Sequence, residues 1–165
     1  MMRLTAGFEM LGRLKHRALV LRSVSAACKR ATSRVDEPES NDFRAQVVSA
    51  VSEAFNNIVL HSYAGRDDGV VEMDIQTLPD HISIEFRDWG DSFDPDSVPP
   101  PDFDQLPESG LGVYIMKTLM ELRYAPGQPN VLTLSKKIPP GYRRSTPAKG
   151  RRRVKTRSRR SKSAT

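Results

Sequence analysis

Cysteine is nearly absent from the 165 residues, and the single Cys28 excludes an intramolecular disulfide. No apolar run approaches the roughly 20 residues a membrane-spanning helix needs. The N-terminal region has no convincing signal-peptide pattern. These absences point to a reducing, cytoplasmic setting with no membrane partner. Acids are scarce at both ends. Glu9 is the only one before residue 36, and none occurs from Gly141 to Thr165, where eleven Lys or Arg crowd together. With +6 for the whole chain, residues 1–140 therefore carry a net −5. The high pI belongs to a tail, and the rest is acidic. That tail, residues 139–165, has almost nothing apolar to bury, so its composition predicts disorder; its charge suits non-specific contact with nucleic acid or an acidic partner, and equally a solvated tail with no dedicated ligand.

What remains is enough for one domain, since 38% hydrophobic and 28% charged residues suit a chain with a real core. Leu11, Leu14, Ala18, Leu21, Val24 and Cys28 recur at helical spacing with Arg or Lys between them, which predicts an amphipathic helix over 11–31. An Arg-rich targeting peptide is the other reading of this segment. Residues 1–35 are assigned to the domain as a strand and this helix. Asp36 to Asp42 is a polar break, with Asn41 or Asp42 suited to cap the next helix. Residues 64–69 form a turn. Val71, Met73 and Ile75, then Ile82, Ile84 and Phe86, alternate with polar residues and predict an antiparallel hairpin around Leu78-Pro79-Asp80. A third alternating run, Val131 to Ile138, joins the same sheet. A Pro- and Asp-rich loop runs from Asp94 to Pro107, and a helix with the stripe Leu111, Ile115, Leu119 and Leu122 is expected over 111–123.

Three segments carry candidate chemistry. The first is Ser52-Glu53-Ala54-Phe55-Asn56-Asn57-Ile58-Val59-Leu60-His61-Ser62-Tyr63. Val47, Val48, Val51, Ala54, Phe55, Ile58 and Val59 mark the buried stripe of a helix, and Glu53, Asn57 and His61 fall in one row along its edge. That row can aim a carboxylate and an amide oxygen at one point. The second segment, Asp88-Trp89-Gly90-Asp91-Ser92-Phe93-Asp94-Pro95, puts a carboxylate at a strand end, beside a glycine that lets backbone approach a flat ligand. The third, Glu108-Ser109-Gly110-Leu111-Gly112-Val113-Tyr114-Ile115-Met116, opens a helix with glycines, where free amides suit phosphate. Alone, each reads equally as a wet helix edge, a turn or a capped core helix.

Together and in order, the three segments resemble the ATP-binding boxes of the superfamily that includes gyrase, heat-shock chaperone ATPases, sensor histidine kinases and mismatch-repair ATPases. Within it the likeness is to the stand-alone anti-sigma-factor serine kinases, whose pattern is Ser-Glu-Ala-x-x-Asn-x-x-x-His-x-Tyr, Asp-x-Gly-x-x-Phe-Asp-Pro and Gly-x-Gly-x-x-Ile-Met. The resemblance spans about residues 43–138, within an ATPase core assigned to 36–138. It implies an α+β fold of the Bergerat type: a two-layer α/β sandwich with a mixed, mostly antiparallel sheet and helices on one face. Met1 to Phe8 would supply its first strand, and the Asp94 to Pro107 loop its nucleotide lid.

The resemblance further implies that Asn57 ligates Mg²⁺ and that Glu53 is the general base for phosphoryl transfer. Asp88 would read the adenine amino group of ATP, with Gly90 giving the ring room. Ser109, Gly110, Leu111 and Gly112 would hold phosphates, and Thr133 would back the adenine pocket. His61 is then structural. The implied activity is that of an ATP-dependent serine/threonine-protein kinase and anti-sigma factor. It would phosphorylate an anti-sigma-factor antagonist, sequester a sigma factor and work as a homodimer. Two positions depart from the pattern: Ser92 replaces the wider superfamily's glycine, and Glu108 puts negative charge beside the expected triphosphate. Glu108 favours the alternative of a catalytically weak, nucleotide-controlled partner-binding module. Glu53 favours the enzyme.

Overall fold

The computed structural model describes residues 4–101 and 110–141. The basic tail beyond Gly141, residues 102–107 of the expected lid, and Glu108 and Ser109 of the expected phosphate segment lie outside them. Strand β1 (Leu4–Leu11) opens the chain, followed by a 3-10 turn at Leu14–His16 and helices α1 (Arg17–Ala31) and α2 (Glu37–Asn57). Strands β2 (Val70–Thr77) and β3 (His81–Asp88) form the expected hairpin. Helix α3 (Leu111–Leu119) and strands β4 (Glu121–Ala125) and β5 (Asn130–Lys137) complete the fold.

The five strands run in the order β1-β2-β3-β5-β4, and every pairing is antiparallel. The parallel pairing that a mixed sheet would contain does not occur among the described residues. Alternation divides the sheet into two faces. Val71, Met73, Ile75, Ile82, Ile84, Phe86, Leu132 and Leu134 are buried and join one core with residues of all three helices. Glu72, Asp74, Glu85 and Arg87 line the other face, where Arg87 pairs with all three acids. This is a two-layer sandwich with its chemistry on the helix side.

The N-terminal helix begins six residues later than its apolar spacing predicts. Leu11 belongs to β1, Gly12 donates its amide to Gly69 O at 2.8 Å, and Leu14 is half-exposed on the 3-10 turn. Sheet pairing thus holds the chain extended where helical periodicity alone would have coiled it. The stripe that reaches the core is Val20, Val24, Ala27 and Cys28. Burial pushes the Cys28 thiol up to about 12, so it packs as a small hydrophobe and not as a nucleophile. Arg17 ties this helix to α2 by donating from Nε to Ser52 Oγ at 3.0 Å.

Helix α2 starts at Glu37 with Asp36 at its N-cap, ahead of the expected Asn41 or Asp42. Pro38 fits a first turn that needs no amide donor, and Glu37 and Glu39 suit its positive end. Asn41 and Asp42 instead bond Arg44 and Gln46 along the helix surface. Helix α3 stops at Leu119, short of the predicted Arg123, and β4 follows as a strand that periodicity had merged into the helix. Met120 is extended, and Lys136 Nζ donates to Leu119 O at 2.6 Å, closing the helix end so that the chain can pair with β5.

Candidate nucleotide site

Helix α2 presents Glu53 and Asn57 one turn apart on its half-buried edge. The first turn of α3 packs against them. A Cβ added to Gly112 would lie 2.9 Å from Glu53 Oε2 and 3.6 Å from Asn57 Oδ1. Gly112 therefore lets the start of α3 approach the side-chain oxygens of Glu53 and Asn57 more closely than any other residue would allow. Gly110, just before it, has φ +84°, a conformation that favours glycine, and a Cβ there would sit 3.1 Å from Val98. Leu111 is exposed, and Val113 and Met116 carry the buried face of α3 instead of the expected stripe.

The row on α2 ends at Asn57. Residues Ile58–Ser62 form a π-helical turn, closed by the Tyr63 amide donating to Ile58 O at 3.0 Å. Such a turn holds one extra residue, so His61 swings out to solvent and Ser62 turns inward, 2% exposed. His61 is thus no third member of the row. Ser62 Oγ is buried beside Asp88, whose charged form its hydroxyl favours.

Asp88 ends β3 on the helix side of the sheet, 2% exposed. Its Oδ1 accepts from the Gly90 amide at 3.0 Å and from Asn130 Nδ2 at 3.1 Å. Burial raises the carboxyl above its ordinary range, and the bonds from Asn130 and Gly90, then Ser62 and the Arg66 charge, act against that rise. The protein's own packing requires glycine at Gly90, because a Cβ there would lie 2.2 Å from Ser62 O.

Thr133 does not back this pocket. It pairs with Glu85 and Arg123 on the opposite face of the sheet, as the inward burial of Leu132 and Leu134 demands. The residue behind Asp88 is Asn130, wholly buried. The same alternation signals it in the sequence, two residues before Leu132.

Two further contacts frame the site. Tyr63 donates its hydroxyl to Val70 O at 2.6 Å and accepts from the Trp89 amide at 2.8 Å, joining the end of α2 to β2 and β3. Its ring lies against Gly12 and Gly69, with the Arg66 guanidinium 5.0 Å from the ring centre. Further along, the chain after Asp88 is held at Phe93 and at Pro95 and Asp96. Phe93 stacks on Tyr124 at 4.9 Å, and Lys117 Nζ of α3 donates to Pro95 O at 2.7 Å and Asp96 Oδ1 at 2.8 Å.

Among the described residues no group of three or more His, Cys, Asp or Glu could hold a metal by itself. The amide oxygen of Asn57 suits a cation that takes most of its ligands from water and phosphate, as Mg²⁺ does. An antiparallel sheet with helices on one face, an acid and an amide facing a glycine-opened helix start, and a buried strand-end carboxylate are the arrangement that the likeness to the ATP-binding boxes implies.

Residues 12–136 match the family described as histidine kinase-like ATPase domain, and the chain belongs to that family. The curated relatives are similar over less of it. A serine-protein kinase RsbW of Bacillus velezensis is 40% identical over 80 residues, covering 44% of this chain and 50% of its own length. An anti-sigma F factor of Clostridium botulinum is 33% identical, covering 46% and 55%. A serine-protein kinase RsbW of Staphylococcus aureus is 33% identical over 113 residues, covering 63% and 67%. The chain thus spans about half the length of the first relatives it matches. No described helix is long and apolar enough to cross a membrane.

Proposed function

We propose that this protein is an ATP- and Mg²⁺-dependent serine/threonine-protein kinase that acts as an anti-sigma factor. It phosphorylates an anti-sigma-factor antagonist, otherwise sequesters a sigma factor, and works in the cytoplasm as a homodimer. The observation that carries the reading is the close approach of the glycine-opened start of α3 to Glu53 Oε2 and Asn57 Oδ1. The similarity to proteins named serine-protein kinase and anti-sigma F factor supports the choice of partners.

When bound, Mg-ATP supplies the phosphoryl group and the cation that offsets its charge. Asn57 offers its amide oxygen to the cation. Glu53, one turn away on a rigid helix, takes the proton of the acceptor hydroxyl. Asp88 accepts a hydrogen bond from the base, and the amides of Leu111 and Gly112 face the phosphates.

Calorimetric titration with ATP, with and without Mg²⁺, tests this reading. Asn57→Ala is expected to abolish Mg-dependent binding, whereas Glu53→Ala keeps binding and stops transfer to a serine-bearing antagonist. Equal loss of binding in both variants would overturn the roles. Tight binding with no transfer to any antagonist would favour a nucleotide-controlled partner-binding module.

A further inference from the structure

Asn130 is the one wholly buried polar side chain of the pocket, and all four of its hydrogen-bonding positions are used. Nδ2 donates to Asp88 Oδ1 and to Gly90 O, each at 3.1 Å. Oδ1 accepts from Ser92 Oγ at 2.5 Å and from the Gly127 amide at 3.1 Å. Two of these partners are backbone groups of fixed polarity. The Gly127 amide can only donate and the Gly90 carbonyl can only accept, so the amide of Asn130 has one possible orientation. Its NH₂ group must face Asp88.

That orientation constrains Asp88 in turn. Oδ1 receives two donors, from Gly90 and Asn130, and such bonds favour the ionised carboxylate, whose two oxygens can only accept. Neither bond falls on Oδ2. Asn130 itself has no capacity left for a ligand, so any effect it has on recognition passes through Asp88. Adenine carries an amino donor at the position where guanine carries a carbonyl acceptor. A carboxylate held as an acceptor accommodates the first and repels the second.

We propose that Asn130, locked by Ser92 and Gly127, is a positioning residue that sets purine selection by holding Asp88 in its acceptor form and orientation. This rests on the nucleotide-binding reading above. It also gives a purpose to Ser92, the departure from the glycine of the wider superfamily. The Ser92 hydroxyl anchors the far side of the Asn130 amide.

The test compares ATP and GTP affinities of the full chain in Mg²⁺ by calorimetric titration, with circular dichroism as the check of folding. The unaltered chain is expected to prefer ATP. A hydrogen bond to a charged group justifies a fall of about tenfold or more in that preference for Asn130→Ala. Ser92→Ala leaves the Asn130 bond to Asp88 in place, so it should move the ratio in the same direction by a smaller factor. A folded Asn130→Ala protein that loses ATP and GTP affinity equally, or keeps its ratio, overturns the proposal. If Asn130→Ala does not fold, an unchanged ratio in Ser92→Ala overturns it instead. Failure of the unaltered chain to bind either nucleotide overturns the nucleotide-binding reading, and this proposal with it.

Discussion

Replacing Gly112 with alanine separates the chemistry of the site from its stability. The added methyl would lie 2.9 Å from Glu53 Oε2, closer than real Cβ atoms come to such an atom, and 3.6 Å from Asn57 Oδ1, an ordinary contact. Only Glu53 must yield, and what yields is the far end of a flexible, half-buried side chain. A retreat of roughly half an ångström restores normal contact. In stability terms that is cheap. Alanine also favours the helix over glycine by up to about 1 kcal/mol, less in a first turn. The melting temperature of Gly112→Ala should therefore be unchanged or raised by roughly 2–4 °C. Transfer should suffer far more, because an ångström of misplacement at a reacting group can cost about a hundredfold. Thermal unfolding followed by circular dichroism, beside phosphoryl transfer under single-turnover conditions, measures both quantities. A variant that melts many degrees lower, or transfers at the unaltered rate, would refute the placement of Glu53 against this helix.

At Gly90 the same substitution should act in the opposite sense. The added Cβ meets Ser62 backbone at 2.2 Å, and backbone cannot swing aside. A loss of about 3 kcal/mol, or a melting temperature lower by roughly 6–12 °C, is expected; a drop under 2 °C would show that the π turn gives way easily. Asp88→Asn should stabilise the protein at neutral pH while weakening ATP binding. Asp88 has a raised pKa in the fold, so the folded state binds its proton more tightly than the unfolded chain does. Stability from this group falls as pH rises from the ordinary carboxylate range through the raised value, and the gain from Asp88→Asn should fade as pH drops back below both. Denaturant unfolding between pH 3 and 8 checks the sign, and a gain that grows towards low pH would contradict it. Lys117→Ala removes the contacts to Pro95 and Asp96. With Asp96 87% exposed, the ion pair contributes on the order of 0–1 kcal/mol, so proteolysis of the 94–101 segment should change more than global stability does.

The hairpin of β2 and β3 was legible because its alternation is strict and local. So was the pairing of Glu53 with Asn57, since four-residue spacing on a helix fixes a row wherever the helix sits. Elements defined by distant partners were harder to read. Glu121–Ala125 carries apolar residues that continue the helical stripe of α3, and only the presence of β5 alongside makes it a strand. Asn130 meets Asp88 across 42 positions of sequence. Thr133 was the more conspicuous polar residue on β5, yet the alternation of Leu132 and Leu134 sends it to the far face. The π turn left no trace in apolar spacing, because Ile58 and Val59 satisfy either winding. Its sign is a consequence, the burial of Ser62 where His61 had seemed to belong to the row.

One hydroxyl, that of Tyr63, touches the start of β2 and the chain just after β3, and its own backbone ends the helix of Glu53 and Asn57. The part of the molecule suited to phosphates and the part suited to a base are thus referenced to a single fixed point, like two marks on one ruler. Their separation belongs to the protein before any ligand arrives. Under the proposed function, a nucleotide whose base and phosphates are spaced differently would satisfy one mark only by missing the other.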